Sequence, residues 1–359
     1  MSSVKTLIFP ASGDTITLNY SLPCDTSKRI TFVKGDSADT WYRFSIGVGV
    51  NDKIDVRCDV NKSGDTARTA TFYPKILGDD AVICTEKGID IIQERLNYLR
   101  FTSDEDFEMG FSHTASLGST KPRIYYSTDS GLTWTQYSLD SAIWPPPSVS
   151  ATANNEIWWK GDNDFTNSHQ LGKFVTIKGN ITVKGNVMSL IHNDDFYNYQ
   201  NDFKNTTFQG LFSVSNVAIS GALVDASELI LPATTLTSSC YSNMFHGCSG
   251  LTAAPELPAT TLATGCYNLM FADCTSLTRA PELLATELQL FCYEKMFQGC
   301  TNLNYIKAMF TTTPGGSYTE QWTDGVASSG TFVKNSSATW NVSGVSGIPD
   351  NWTVQTASS

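Results

Sequence analysis

Charge is the scarcest ingredient of this sequence. Asp, Glu, Lys and Arg make up 16% of its 359 residues, against roughly 25% in ordinary globular chains. Positive charge is scarcer still, with 24 Lys and Arg facing 35 Asp and Glu for a formal net charge of −11. With no cluster of basic residues to offset that excess, a phosphate backbone is repelled, so nucleic acid is excluded as a partner. Anionic membranes are disfavoured for the same reason. No apolar run approaches the roughly 20 residues of a membrane-spanning helix. The opening Met1-Ser2-Ser3-Val4-Lys5-Thr6 lacks the basic and then apolar segments of a secretory leader, and no hydrophobic stretch precedes Cys24. The expectation is a chain made and kept in a cytoplasm.

Recognisable reaction chemistry is also missing. The four histidines, His113, His169, His192 and His246, form no His-x-x-x-His pair. There is no Gly-x-Ser-x-Gly elbow, phosphate loop or dinucleotide fingerprint. No catalytic residue, cofactor or metal is therefore assigned. Acidic clusters at Asp104-Glu105-Asp106, Asp162-Asn163-Asp164 and Asp194-Asp195 read as calcium ligands or as solvated loops, and loops are the simpler reading. Trp158-Trp159, Trp322, Trp340 and Trp352 could stack on sugars. Adjacent strand residues face opposite ways, so packing accounts for at least half of them.

What is present points to β-structure. Hydrophobic residues reach 41%, enough for packed cores, and Thr, Ser, Asn and Gly take the place of charge. The length suits two or three domains. Over residues 4–94 the segments Thr15–Tyr20, Ile54–Cys58 and Thr69–Tyr73 alternate with the period of two of half-buried strands. They are separated by turn residues at Ser12-Gly13-Asp14, Gly35-Asp36-Ser37 and 61–65. This spacing predicts a small Ig-type β-sandwich over 1–95.

Residues 96–205 form a second β-rich region. Ser127-Thr128-Asp129-Ser130-Gly131-Leu132-Thr133-Trp134 predicts a hairpin in which Asp129 and Gly131 make the turn and Trp134 packs back across it. Trp144-Pro145-Pro146-Pro147 reads as a stiff connection, and strands resume at Glu156–Gly161 and Phe174–Val183.

Internal repetition begins beyond that. Copies start at Leu231, Leu257 and Leu283, a period of 26 residues, over a repeat region of 206–310. In register stand Cys240, Cys266 and Cys292; Met244, Met270 and Met296; Phe245, Phe271 and Phe297; Cys248, Cys274 and Cys300; Leu251, Leu277 and Leu303. The i, i+4, i+5 spacing of Cys240, Met244 and Phe245 predicts about two turns of helix. Gly247 and Gly299, with Asp273 in the middle copy, would stop it. An extended segment follows, kept short by Pro255 and Pro281. Such a unit cannot bury its own apolar side, whereas stacked copies can, which predicts a short solenoid. Leu211-Phe212 and Leu223–Leu229 read as a degenerate first copy acting as a cap, and 311–359 as a C-terminal β cap. The cysteine pairs lie eight residues apart, wider than the usual two to four of zinc sites, so the thiols read as a buried ladder.

Three resemblances sharpen this. Phe245-His246-Gly247-Cys248-Ser249-Gly250-Leu251 and Phe297–Leu303 match the Phe-x-Gly-Cys-x-x-Leu core of BspA-like leucine-rich repeats, and Phe271–Leu277 departs only at the glycine. Trp41, Asn61, Arg68–Thr71 and Ile89–Gln93 resemble, in order and kind, the features of a BACON domain. Residues 127–134 resemble the Asp-box of sialidases, a hairpin device that lies away from catalysis there. BACON domains and such repeats occur together in surface proteins of Bacteroidetes and in structural proteins of phages infecting them, the crAss-like phages included. Carbohydrate or mucin binding has been proposed for BACON domains.

The resemblance implies a mainly β, non-enzymatic virion surface protein: a head fibre, capsid decoration or tail appendage. Its expected partners are other capsid or tail proteins and host glycan, mucin or surface protein, and it is expected to form a homo-oligomer. Two alternatives stay open: a bacterial cell-surface adhesin, and an accessory protein of a carbohydrate-active enzyme.

Overall fold

In the computed structural model the described residues are the strand backbones at 5–9, 14–19, 30–34, 42–46, 53–58, 68–76 and 89–93, and residues 97–357 apart from 114–120, 140–143, 164–169 and 215–220. The protein is mainly β. One compact unit takes in residues 1–97, and another comprises Tyr98–Asp129 with Thr133–Ser359.

Seven strands are described in the first unit: β1 (Lys5–Phe9), β2 (Asp14–Asn19), β3 (Ile30–Lys34), β4 (Tyr42–Ile46), β5 (Lys53–Cys58), β6 (Arg68–Ile76) and β7 (Ile89–Gln93). They pair as two sheets, β1-β7-β6-β3 and β2-β5-β4. Only β1 and β7 run parallel. The strands expected from alternation correspond to β2, β5 and β6 within a residue or so at most ends. Trp41, Asn61 and most of the expected turn residues lie outside the described residues.

The second unit begins with β8 (Leu99–Thr102), β9 (Phe107–Ser112), β10 (Ile124–Ser127), β11 (Thr135–Gln136), β12 (Val149–Ala151), β13 (Glu156–Gly161), β14 (Lys173–Lys178), β15 (Asn180–Asn186) and β16 (Ala222–Ile230). Six of them form the sheet β11-β10-β13-β8-β15-β16, and three form β12-β9-β14. Phe174 of β14 joins the two. Its ring lies 4.8 Å from Phe101 of β8, 4.9 Å from Phe111 of β9 and 5.1 Å from Trp159 of β13. Aromatic pairs at such tilted geometries add to what their buried area contributes. The run Gly185–Leu190 then turns the chain inward, with Val187, Met188 and Leu190 fully buried.

The middle region and the repeats share one body. β16 pairs in parallel with β15 and so completes the six-stranded sheet, while its other side is bridged to the first repeat at Asp225 and Ala253. Residues 206–214 already stack on the first copy. Phe208 N–H donates to Cys240 C=O at 3.0 Å, Gly210 to Ser242 at 2.9 Å and Phe212 to Met244 at 2.9 Å. At the other end, β17 (Tyr305–Ala308), β18 (Thr331–Lys334) and β19 (Thr353–Thr356) pair in parallel as successive rungs. Residues 317–324 stack on the third copy, with Phe297 N–H donating to Trp322 C=O at 2.9 Å.

Within each copy the structure differs from the expected two helical turns. Residues 237–248 form a chain of tight turns instead. The N–H groups of Cys240, Ser242, Met244, His246 and Cys248 donate three residues back. Those of Tyr241, Asn243, Phe245 and Gly247 donate to the next copy, at Cys266, Asn268, Met270 and Ala272. Left-handed φ recurs at every fourth residue: Ser239, Asn243 and Gly247; Gly265, Leu269 and Asp273; Phe291, Lys295 and Gly299. A helix uses all of its donors internally, and a left-handed residue in every turn forbids that. The alternation leaves half of the donors free to tie rung to rung, which satisfies the backbone without a helix.

Gly247 shows how tightly this geometry is held. Its φ is +78°, and a Cβ there would sit 2.7 Å from the Val214 carbonyl oxygen. Gly250, three residues on, has ordinary clearance, with Ala222 Cβ at 3.4 Å. Gly247→Ala is therefore expected to lower stability by about 2 kcal/mol, with Gly250→Ala within roughly 0.5 kcal/mol of the parent. Urea unfolding of the pair checks this, and equal midpoints would contradict the turn geometry.

Candidate functional site

The repeat residues singled out by the 26-residue register all face inward. Cys240, Cys266 and Cys292, the three methionines, Phe245, Phe271, Phe297, Cys248, Cys274, Cys300 and the leucines Leu251, Leu277 and Leu303 are all buried. The phenylalanine rings stack in line. Phe212 lies 5.3 Å from Phe245, Phe245 lies 5.3 Å from Phe271 and Phe271 lies 5.8 Å from Phe297, the last two pairs within 7° of parallel. Trp322 continues the line at 6.2 Å.

A second ladder escaped the sequence reading although it obeys the same spacing. Tyr241, Tyr267 and Tyr293 stack 6.0 Å apart behind Phe208. Burial raises all three phenols well above their ordinary range.

The six thiols are unpaired and buried. Desolvation pushes Cys240, Cys248, Cys292 and Cys300 up to about 12, and raises Cys266 and Cys274 well above the ordinary thiol range. Three of them donate to carbonyls of the preceding rung: Cys248 to Phe212 at 3.2 Å, Cys274 to Phe245 at 3.2 Å and Cys300 to Phe271 at 3.0 Å. A neutral thiol is a weak donor, and only the thiolate is a good metal ligand or nucleophile. No group of three or more His, Cys, Asp or Glu able to hold a metal occurs among the described residues.

The Asp129 hairpin is closed by its own side chains. The Asp129 carboxylate accepts from Ser127 Oγ at 2.6 Å, Thr133 N at 2.9 Å and Thr133 Oγ1 at 2.6 Å. These hydrogen bonds lower its pKa to about 2. Ser130 and Gly131 take the left-handed conformation, with φ of 58° and 86°. Trp134 lies 5.1 Å from the Tyr98 ring, and Lys160 Nζ sits 4.4 Å over the Trp134 ring. Lys160 and the Tyr98 hydroxyl both reach Asp194 Oδ1 at 2.8 Å. This accounts for Asp194 as a structural anion.

Three members of the other acidic clusters are tied up in the same way. Glu105 accepts from Asn180 N, Asp106 from Ala153 N, and Asp162 pairs with Arg123 at 2.9 Å. Asp164 lies outside the described residues. The tryptophans considered as sugar platforms belong to the core. Trp158, Trp159, Trp322, Trp340 and Trp352 are all buried. The indole N–H groups of Trp322, Trp340 and Trp352 donate to the carbonyls of Gly347, Phe310 and Ala327. Buried indoles with satisfied N–H groups offer no face to a ligand.

One surface feature was not foreseen. A groove of about 560 Å³ runs along the extended segments 252–258 and 279–284 of the first two copies. Elsewhere these segments are bridged, Asp225 to Ala253 on one side, Arg279 to Tyr305 and Leu283 to Ala308 on the other. No backbone hydrogen bond joins 253–258 to 279–284. Pro255, Pro258 and Pro281 lack the N–H groups such a ladder would need. Pro255 and Leu257 are buried, Leu284 is exposed, and Glu256, Arg279 and Glu282 stand exposed along the groove. The Arg279 guanidinium lies 3.6 Å from the Tyr305 ring centre, and Glu282 is paired with Lys307 at 2.8 Å.

No protein-family model matches the chain, and no curated protein or solved structure matches it. No helix among the described residues is long and apolar enough to cross a membrane.

Proposed function

We propose that the chain is a non-enzymatic surface protein of a phage that infects Bacteroidetes, carried as a head fibre, capsid decoration or tail appendage. In this reading the stacked copies are a short BspA-like leucine-rich-repeat solenoid. The seven N-terminal strands are an Ig-type sandwich of BACON kind, its first strand paired with its last. The sandwich spaces or anchors the protein on capsid or tail partners. The repeat end faces outward and adheres to host glycan, mucin or surface protein, with several identical copies adding their weak contacts through effective concentration.

The observation that carries this reading is where the reactive side chains are spent. The six repeat thiols, the tyrosine ladder and five of the tryptophans are buried in packing. The Asp129 carboxylate closes a hairpin. Glycoside hydrolysis ordinarily uses two carboxylates flanking one cleft, and Asp129, Asp162 and Asp194 are each engaged in local bonds instead. Rungs tied to one another by backbone hydrogen bonds along their turn segments make a stiff support for display.

Gold-labelled antibody against the chain, applied to purified particles and to uninfected host cells, tests the reading. Label at one recurring feature of intact particles is expected. Label confined to the envelope of uninfected bacteria would replace it with a cell-surface adhesin.

A further inference from the structure

We propose that the groove between the first two repeats binds an extended peptide segment of a partner protein that carries a basic side chain. This goes beyond the display reading and does not depend on where the protein is carried. The ladder between these two rungs is interrupted. Two parallel extended segments, 252–258 and 279–284, line one groove yet share no backbone hydrogen bond, although each is bridged to its other neighbour. Carbonyl groups along the groove are thereby left without a donor from the facing rung. An extended chain laid there supplies N–H groups at the same 3.3 Å repeat, the logic by which peptides add to unpaired strands.

The dimensions and chemistry agree. Seven consecutive residues line one side, a run of roughly 20 Å when extended, and 560 Å³ is within the range of about 300–1,000 Å³ typical of binding clefts. The walls are apolar at Ala253, Pro255, Leu257, Ala280 and Pro281, which suits alternate apolar side chains of the guest. Charge selects its polar residue. Glu282 is paired with Lys307, and Arg279 keeps its charge but is stacked on Tyr305, three register positions along from Glu256. Glu256 is exposed, with no ion pair or hydrogen bond among the described residues. On a chain of net charge −11 that carboxylate favours Lys or Arg on the guest.

The test uses the full chain, immobilised, and a display library of randomised seven-residue peptides. The library is selected in parallel on the parent, on Glu256→Lys and on Ala254→Trp, which fills the groove. Thermal melts establish that both variants fold as the parent does. Selection on the parent is expected to enrich β-branched residues around one Lys or Arg. Enriched peptides should bind the Glu256→Lys and Ala254→Trp proteins at least about tenfold more weakly, the size of a lost charge pair or a blocked cleft. A neutral oligosaccharide series, cello- and chito-oligomers, is titrated beside them. No enrichment, enrichment that both variants retain, or oligosaccharide binding that Ala254→Trp abolishes would each overturn the proposal, the last in favour of a glycan cleft.

Discussion

Phe271→Ala should lower stability by about 3–5 kcal/mol. Phe271 is fully buried, and its ring lies between Phe245 at 5.3 Å and Phe297 at 5.8 Å, nearly parallel to both. Truncation removes the ring's own transfer free energy and leaves a cavity that the neighbours cannot close, because their backbones are tied to the middle rung. Phe245 N–H donates to Met270 C=O and Phe271 N–H to Met296 C=O. In a stack of rungs each interface contributes to its neighbours, so the loss is felt on both sides of the middle copy. For a unit of this size it corresponds to a fall in Tm of roughly 10 °C, at about 2–4 °C per kcal/mol. Calorimetry of the parent and the variant measures it directly. A Tm unchanged by the substitution would show that this face is not the core.

The repeat period was legible because five positions recur every 26 residues, and a recurring apolar position in a short copy can only be satisfied by stacking. The direction of that face followed as well: every one of the fifteen residues so chosen is buried. The conformation between them was not legible. Cys240, Met244 and Phe245 have helical spacing, but Ser239 and Asn243 adopt left-handed φ of 53° and 57°, and Ser seldom does so unless tertiary bonds hold it. Here the bonds to the next copy do. Asp273 in place of glycine was legible, since Asp tolerates the φ of 61° it takes. Its carboxylate also faces His246 at 3.4 Å.

The tryptophans went the other way. A tryptophan read from sequence looks the same on a surface as in a core, and Trp158 and Trp159 are adjacent, yet both are buried. The β13 strand that carries them has aromatic rings on either face, Tyr98 against Trp158 and Phe174 against Trp159. The continuation of the stack past residue 310 was hidden because Trp322 takes the place next to Phe297 without any of the motif around it. The groove could not be foreseen either. Prolines in an extended segment announce missing donors, but which neighbour goes unpaired is a matter of how the rungs meet.

In the proposed reading the reactive side chains, the repeat thiols above all, serve packing. Thiol labelling of the native chain tests it most directly. Burial holds four of the six at about 12 and raises the other two well above the ordinary thiol range. At pH 8 the thiolate fraction of a thiol with pKa 12 is on the order of one in ten thousand, and reagent access is blocked as well. Because the folded pKa lies above the unfolded one, the stability linked to these thiols is full below the ordinary thiol range. It is lost as pH rises from there through about 12. Labelling with a maleimide under native conditions at pH 8, followed by mass spectrometry of peptides, is expected to leave Cys240, Cys248, Cys266, Cys274, Cys292 and Cys300 unmodified over hours, and to modify all six within minutes once urea unfolds the chain. Rapid native modification of these six, or stoichiometric zinc that protects them and leaves with a chelator, would contradict the account.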